Sequence, residues 1–457
     1  MIPLTLNQLA GLLSAQHLGA DGLIEAVSTD SRQMVTKPGT LFIALKGERW
    51  DGAQFAAQAV SQGAQALLLP RRLPLPVPQI IVSDIDQALR QLACWCRQHA
   101  KARWLAVTGS NGKSSVKEMV AAILKQKGDT LATWQNQNNH QFGVPLTLLQ
   151  VTPVHQFAVI EVAANAPGEI AASSALVQPE VALVNNIAAA HLAGFGLLTG
   201  VAQAKGEIFS ALAADGLAII NSDSHDLVRW QQRLMASQKV CRFALAQQPG
   251  VNFYASAIEA QPEGSYRFTL HTPNGTTLVN LPGIGEHRIT NAVAAAALTM
   301  AVGADLTMIQ QGLAQCYPLP GRLARQRLAP GKWLVDDSYN ANVASMQAAI
   351  QVLHQQPGYR LLVVGDMAEL GDQSVACHQQ VADTLQCAAV DQVFSFGLMS
   401  ALISRAVGGQ HFTDFEDLLA AVTAQWQQQP VITLLVKGSR RAKLDRLVSA
   451  LQEHVAC

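Results

Sequence analysis

Aromatic residues are scarce, at 5% of 457 residues, and charged residues reach only 14%. Lys+Arg and Asp+Glu are equal at 32 each, so the formal net charge is zero. That balance argues against a protein that coats nucleic acid, which needs a broad excess of cations, although a local basic cleft stays open. No run of about 18 apolar residues is present, the length a membrane-spanning helix requires. The most apolar stretch, residues 181–198, is broken by Asn185, Asn186 and His191. Met1-Ile-Pro-Leu-Thr5 lacks a basic segment ahead of an apolar one, so no secretory signal is expected. Seven cysteines are scattered without paired spacing. Cys94 and Cys96 would point to nearly opposite sides of a helix and make a poor metal pair. Reduced thiols in a cytoplasmic protein are therefore expected. What is plentiful is apolar: 49% of the chain, ample for several buried cores. At about 150 residues per domain the length suggests three domains.

The densest chemical signal is Val107-Thr-Gly-Ser-Asn-Gly-Lys-Ser-Ser115. It follows the apolar run Trp104–Val107 and precedes a helical stripe of Val116, Met119, Val120 and Ile123 at i, i+3, i+4, i+7. A strand, a glycine turn, a lysine and a hydroxyl at a helix start together make a polyphosphate cradle. Loop and helix N–H groups point at the anion, and the helix dipole favours negative charge there. Gly109 and Gly112 permit the turn, Lys113 can reach the β- and γ-phosphates, and Ser114 can offer its hydroxyl to Mg²⁺. Ser110, Asn111 and Ser115 complete the expected cradle for ATP or GTP. The spacing is not the standard G-x-x-x-x-G-K-[ST], because Val107 stands where the first glycine belongs.

An α/β fold of three domains is expected: a small α/β N-terminal domain over 1–83, a central phosphate-loop domain over 84–318, and a Rossmann-like C-terminal domain over 319–457. Short apolar runs at Thr40–Leu45, Ala66–Leu69 and Gln79–Val82 surround an alanine-rich helix near Ala53–Gln62, and the Pro-rich Arg71–Pro78 reads as a solvated loop. A helix at Asp84–Ala100 and runs at Phe157–Val162, Val181–Asn185 and Leu217–Asn221 point to a mostly parallel sheet with covering helices. Residues 251–281 alternate polar and apolar around an Asn274-Gly275 turn, which predicts appended antiparallel strands, and Asn291–Val302 reads as a helix. Beyond Pro318-Leu-Pro-Gly321, strands are expected at Trp333–Asp336, Arg360–Val364, Gln392–Ser395 and Val431–Val436.

Ligands of open α/β sheets collect beyond the C-terminal ends of the strands. Glu161 closes one such strand and either binds Mg²⁺ or is a solvated strand-end acid. His191 is a ligand candidate or a satisfied structural histidine, and Lys205 would ordinarily be read as a surface lysine. Asn136, Asn138 and Asn139 are equally turn formers or ligand donors. In the third domain, Asp336-Asp-Ser-Tyr-Asn-Ala-Asn342 sits at a strand end, and Lys437-Gly-Ser-Arg-Arg441 is expected to open a helix as a second anion site or a solvated basic start.

Thr108-Gly-Ser-Asn-Gly-Lys-Ser114 resembles the T-G-[ST]-x-G-K-[ST] phosphate loop of the Mur ligase family. Gly285-Glu-His-Arg-Ile-Thr-Asn291-Ala is similar to its G-x-H-x-x-x-N-A segment, and Pro320-Gly-Arg322 to its P-G-R. Thr29-Asp-Ser-Arg32, Leu45-Lys-Gly-Glu-Arg49, Ala204-Lys-Gly-Glu-Ile-Phe209, Asp337–Asn342 and Val364-Gly-Asp-Met-Ala-Glu-Leu-Gly371 extend the likeness over essentially the whole chain. The resemblance implies an ATP-dependent amide ligase of peptidoglycan precursor synthesis, serving cell shape and division. Its last three segments imply UDP-N-acetylmuramoyl-tripeptide and D-alanyl-D-alanine as the partners, with a monomer expected. Diaminopimelate and lysine both remain open as the third stem residue.

It further implies that Lys113, Glu161, His191 and Lys205 are catalytic. Ser114, Glu161, His191 and Lys205 would hold Mg²⁺, two ions in all, with Lys205 carrying a CO₂-derived carbamate. Asn291 would approach the adenine, and Arg322 and Asp337 would reach ATP from the third domain. Ser31, Arg32, Lys46 and Gly47 would hold the uridine diphosphate end, and Asn136, Asn138 and Asn139 would line the cleft. The chain departs from the family where Glu161-Val-Ala-Ala-Asn-Ala166 replaces Glu-x-Gly-Ala-Asn-His, and where Gln135 replaces a common glycine. Ala163 demands a backbone without positive φ. Rival readings are the sibling ligase for the third stem residue, a folylpolyglutamate synthase, and, outside enzymes, a nucleotide-gated binding protein.

Overall fold

Short apolar strands alternate with helices along the chain, and in the computed structural model they assemble into three mainly parallel sheets. The structure describes residues 1–34, 37–47, 50–134, 139, 141–224, 227–262 and 264–456. In the first sheet Ala26–Ser28, Thr40–Ile43, Ala66–Leu69 and Gln79–Ile81 run parallel, with Gln16–Leu18 antiparallel at one edge. The expected helix near Ala53 begins as a 3₁₀ turn, Gly52–Phe55, and becomes α-helical only over Ala56–Ser61.

The central sheet orders its six parallel strands as Lys239–Phe243, Leu217–Asn221, Val181–Val184, Arg103–Thr108, Phe157–Glu161 and Thr130–Ala132. From Arg103–Thr108 the chain first builds to one side, through Thr130–Ala132 and Phe157–Glu161, and then crosses to the other. The direction of winding thus reverses beside Arg103–Thr108, and such a switch opens a crevice at the strand C-termini. Leu105 and Val107 face one core while Trp104 and Ala106 face another, all of them buried. Burial on both faces explains why this strand reads as a continuous apolar run rather than an alternation.

Val116, Met119, Val120 and Ile123 are fully buried on the helix Lys113–Leu124, against the alanine-rich helix His287–Ala301. Small side chains on the second helix let the two pack closely, so the phosphate loop rests on a rigid base. Burying each of the larger apolar side chains contributes about 1.5–3 kcal/mol. The three antiparallel strands are Tyr254–Gln261, Ser265–Thr272 and Gly275–Pro282. Their second turn has its tip at Pro273-Asn274, one residue earlier than expected, because Gly275, at φ 117°, already pairs with Thr272.

In the third sheet Lys332–Asp337, Ile432–Lys437, Tyr359–Gly365, Gln392–Phe396 and Gln410–Phe412 are parallel, with Ala324–Ala329 antiparallel at the edge. One expectation is corrected here. The Lys437–Arg441 run does not open an α-helix: Arg440–Ala442 form a 3₁₀ turn, Lys443 adopts φ 51°, and the helix starts at Asp445. Leu444, fully buried, pins the chain at that break. Among the described residues no helix is long and apolar enough to cross a membrane.

Candidate active site

The strand Arg103–Thr108 ends in a turn that two glycines make possible. Gly109 adopts φ 148° and Gly112 φ 78°, and Gly112 is the N-cap of the helix Lys113–Leu124. A Cβ at Gly112 would stand 2.5 Å from Asn291 Oδ1 and 2.6 Å from Asn185 Nδ2, so glycine is required there for space as well as for φ. The loop is clamped by the segment just past the neighbouring strand Val181–Val184. Ser110 N–H donates to the Asn186 carbonyl at 2.9 Å, Asn111 N–H donates to Asn186 Oδ1 at 2.8 Å, and Asn185 Nδ2 donates to the Asn111 carbonyl at 3.0 Å and to Asn291 Oδ1 at 2.8 Å. Asn185 and Asn186 were legible in the sequence only as breaks in an apolar run; the strand-end rule would have marked them.

Lys113 Nζ folds back onto the carbonyls of Gly109 (2.8 Å) and Ser110 (3.2 Å). Burial pulls its ammonium down to about 8, with the Glu161 carboxylate opposing. Ser114 Oγ donates to Glu161 Oε2 at 2.8 Å, and Arg322 Nη2 donates to Ser114 Oγ at 2.9 Å. Glu161 is buried, and its strand end is fixed by its N–H donating to Thr133 Oγ1 at 2.9 Å. Arg322 lies over the Tyr339 ring at 4.2 Å. A second contact joins the sheets, since Asn342 Nδ2 donates to Asn111 Oδ1 at 2.7 Å. Asp337 pairs with Lys437 at 2.6 Å and accepts the Leu323 N–H at 3.1 Å; burial raises its carboxyl, with Lys437 opposing.

These groups surround one cavity of about 620 Å³, the size of a small-molecule site. Of the expected nucleotide and metal residues, Ser110, Asn111, Gly112, Lys113, Ser115, Glu161, His191, Asn291, Arg322 and Asp337 line it, and so does Asn139. Asn139 Oδ1 also accepts the Phe142 and Gly143 N–H groups, so the residue has the turn-forming role while facing the cavity. Asn136 and Asn138 lie outside the described residues. Lys205 is not a surface lysine: it is 1% exposed, with its ammonium 5.3 Å from the centre of the Phe195 ring.

The four expected uridine-diphosphate residues stand apart from this cavity. They lie in the loops after Ala26–Ser28 and Thr40–Ile43, adjacent parallel strands of the first sheet. Ser31 Oγ donates to Gln58 Oε1 at 2.9 Å, Arg32 pairs with Asp30 at 2.8 Å, the Lys46 main chain forms an antiparallel β-bridge with Asp51, and Gly47 lies under the Trp50 indole. At the departure from the family pattern, Ala163 keeps negative φ and lines the cavity. The Asn165 carbonyl packs where a Cβ at Gly194 would sit, 1.8 Å away.

A divalent metal fits the donor set at one point. Mg²⁺ takes hard oxygen ligands, typically one or two carboxylates completed by phosphate and water. The Ser114 hydroxyl and Glu161 carboxylate, already in contact beneath Lys113, are such a pair. No group of three or more His, Cys, Asp or Glu among the described residues would hold a metal by protein ligands alone.

Comparison with known proteins identifies this architecture. Residues 23–95 match the Mur ligase family catalytic domain, 107–299 the Mur ligase middle domain, and 321–440 the Mur ligase glutamate ligase domain. The chain belongs to the Mur ligase family. It is 52% identical, over the whole of both chains, to UDP-N-acetylmuramoyl-tripeptide–D-alanyl-D-alanine ligase of Escherichia coli K12. MurF from Acinetobacter baumannii superposes with a TM-score of 0.90 at 36% identity, covering 99% of each chain. MurF ligase from Thermotoga maritima, solved in complex with ADP, superposes with a TM-score of 0.80 at 25% identity over 94% of this chain and 98% of that one. The three sheets and the antiparallel strands within the middle part are this family's fold.

One consequence of the geometry concerns pH. Burial, helped by the nearby Lys113 charge, pulls the Lys205 ammonium down to about 7. In the unfolded chain it titrates near 10.4. Between those values the unfolded state binds a proton that the folded state lacks, so this residue adds stability as pH rises from 7. In CO₂-depleted buffer, urea unfolding is expected to show the parent chain gaining about 1–2 kcal/mol over Lys205→Met between pH 7 and 8.5. Parallel pH profiles for the two proteins would contradict the assignment.

Proposed function

We propose that this Mur ligase joins D-alanyl-D-alanine to UDP-N-acetylmuramoyl-tripeptide, converting ATP to ADP and phosphate, in peptidoglycan precursor synthesis. The observation that carries this reading is the 52% identity across both full chains to an enzyme of that name, together with a phosphate loop that fits the energy source. The domains divide at 1–83 for the uridine-diphosphate substrate, 84–318 for ATP and 319–457 for closure, in a cytoplasmic, monomeric enzyme.

A carboxylate is a poor acyl donor because its leaving group would be oxide. Transfer of the γ-phosphoryl group to the tripeptide carboxylate forms an acyl phosphate and ADP. The D-alanyl-D-alanine amine then attacks the acyl carbon, and phosphate leaves as the amide forms. In the first step two anions approach, so the site must supply positive charge. Lys113 swings from the loop carbonyls to the γ-phosphate, and Arg322 adds a second cation from the other side. The N–H groups of 109–114 and the helix dipole hold the β-phosphate. Asn291 meets the adenine, and Asp337 reaches the nucleotide from the third domain.

Ser114 and Glu161 would hold one Mg²⁺, and His191 with a carbamate on Lys205 a second; bound there, the ions would supply positive charge against the phosphoryl oxygens and the attacking carboxylate. The Arg322–Ser114 and Asn342–Asn111 contacts close the third domain over the cavity, which protects the acyl phosphate from water. Ser31, Arg32, Lys46 and Gly47 hold the uridine diphosphate at the far end, and Asn139 lines the cleft between.

Phosphate release tests the reading. Release is expected with ATP, UDP-N-acetylmuramoyl-tripeptide and D-alanyl-D-alanine together, and to fall at least 100-fold when a single amino acid replaces the dipeptide. Equal turnover with a single amino acid and a dipeptide-stage donor would point to a sibling ligase instead.

A further inference from the structure

The loop of residues 366–371 follows the strand Tyr359–Gly365 of the third sheet and reaches the central domain. It is built rigidly within its own domain. The Asp366 carboxylate accepts the N–H groups of Leu398, Met399 and Ser400 at 2.7–3.0 Å. Met367 N–H donates to His378 Nε2 at 3.1 Å, while His378 Nδ1 pairs with the Ser374 carbonyl at 2.7 Å, and Leu370 is buried. At the apex Glu369 adopts φ 62°, its carbonyl accepts the Ala193 N–H at 3.0 Å, and its Oε2 meets His191 Nδ1. His191 is itself left-handed, at φ 54°. That conformation is uncommon for residues other than glycine and survives where the surroundings over-determine it. Here one such residue from each domain is brought face to face, with a main-chain hydrogen bond beside the pair.

A carboxylate only accepts hydrogen bonds, so Glu369 draws the imidazole proton to Nδ1. That leaves the lone pair on Nε2 as the ring's remaining ligand atom, and His191 lines the cavity. A metal-ligating histidine generally donates its other ring N–H in this way, and loss of that partner costs 10–100-fold in metal affinity or activity. We propose that Glu369 is a positioning residue for His191, delivered across the domain boundary, so that the histidine takes its working tautomer and orientation only when the third domain has closed. The inference rests on the ligase reading for its catalytic consequence, though not for its effect on metal binding.

The test compares the parent chain with Glu369→Ala and Glu369→Gln, the amide oxygen of the latter still accepting from Nδ1. Turnover by phosphate release and Mn²⁺ affinity in the ADP complex, by electron spin resonance, are read in parallel. Glu369→Ala is expected to lower kcat at least 10-fold with KM for ATP within 2-fold, and to weaken Mn²⁺ binding at least 10-fold. Glu369→Gln is expected to recover both to within 5-fold of the parent. The side chain is 36% exposed, so the melting temperature should hold within a few degrees. Mn²⁺ affinity and kcat of Glu369→Ala within 3-fold of the parent would overturn the proposal. So would equal losses in both variants accompanied by a common fall in melting temperature. A parent chain that binds ADP and Mn²⁺ but releases no phosphate would defeat the ligase reading alone, leaving the Mn²⁺ comparison to judge Glu369.

Discussion

Lys113→Ala is expected to reduce acyl-phosphate formation about 10³-fold or more while leaving the protein folded, because the lysine serves the anion and not the core. Its Nζ is satisfied by the Gly109 and Ser110 carbonyls, and desolvation pulls it down to about 8. A cation held where its charge is disfavoured adds little to stability, so its removal should move the melting temperature by no more than a few degrees. A triphosphate reverses that balance, since four negative charges arrive beside it and restore full protonation. The loss should therefore fall on kcat and on ATP affinity together, with UDP-substrate binding unchanged. Single-turnover transfer of labelled γ-phosphate measures the first step directly. Turnover above a tenth of the parent value in a folded Lys113→Ala chain would remove the phosphate loop from the mechanism.

How far this site could be read from the sequence depends on the span over which each contact is made. The strand Arg103–Thr108, the two glycines and the stripe Val116–Ile123 all lie within about one supersecondary unit, and their periodicity carries them. Glu161 and Asp337 were marked because each closes an apolar strand. Thr130–Ala132 was not legible as a strand: three residues give no period, and only pairing with Phe157–Val159 makes it one. Lys239–Phe243 and Ala324–Ala329 were missed for another reason. They are sheet edges, with polar or exposed residues that break the buried-strand pattern.

Lys205 shows the opposite failure. Its helix, Leu198–Gly206, has almost no amphipathic contrast, so nothing local distinguishes a buried lysine from a solvated one. The contacts that assemble the site are the least visible of all. Arg322 with Ser114, Asn342 with Asn111 and Glu369 with His191 join residues 208, 231 and 178 positions apart. Such pairs are set by the docking of one folded domain on another, which no window of sequence encodes. The family likeness supplied Arg322; it left Asn111–Asn342 and Glu369 without a role.

Lys205→Met is expected to lower turnover about 10²–10³-fold, and the parent enzyme should lose activity reversibly when CO₂ is removed. A carbamate forms when a neutral amine attacks CO₂, making an N–C bond and releasing one proton. An ordinary lysine at pH 7.5 is almost wholly protonated and cannot do this. Lys205, drawn down to about 7 by burial, has a far larger share of free amine at that pH than a solvated lysine. The product carries a negative charge shared by two oxygens, which would attract the Lys113 ammonium and offer a hard ligand to Mg²⁺. Methionine fills the volume without either charge, so folding should persist while the metal-dependent step fails; Lys205→Ala leaves room that added acetate can enter, and partial rescue by acetate is expected there alone. Isotope-edited infrared or ¹³C resonance of the parent under ¹³CO₂ reads the modification independently of turnover. Activity indifferent to CO₂, no ¹³C label on the chain and a Lys205→Met enzyme above a third of parent kcat would together leave Lys205 as a buried structural lysine.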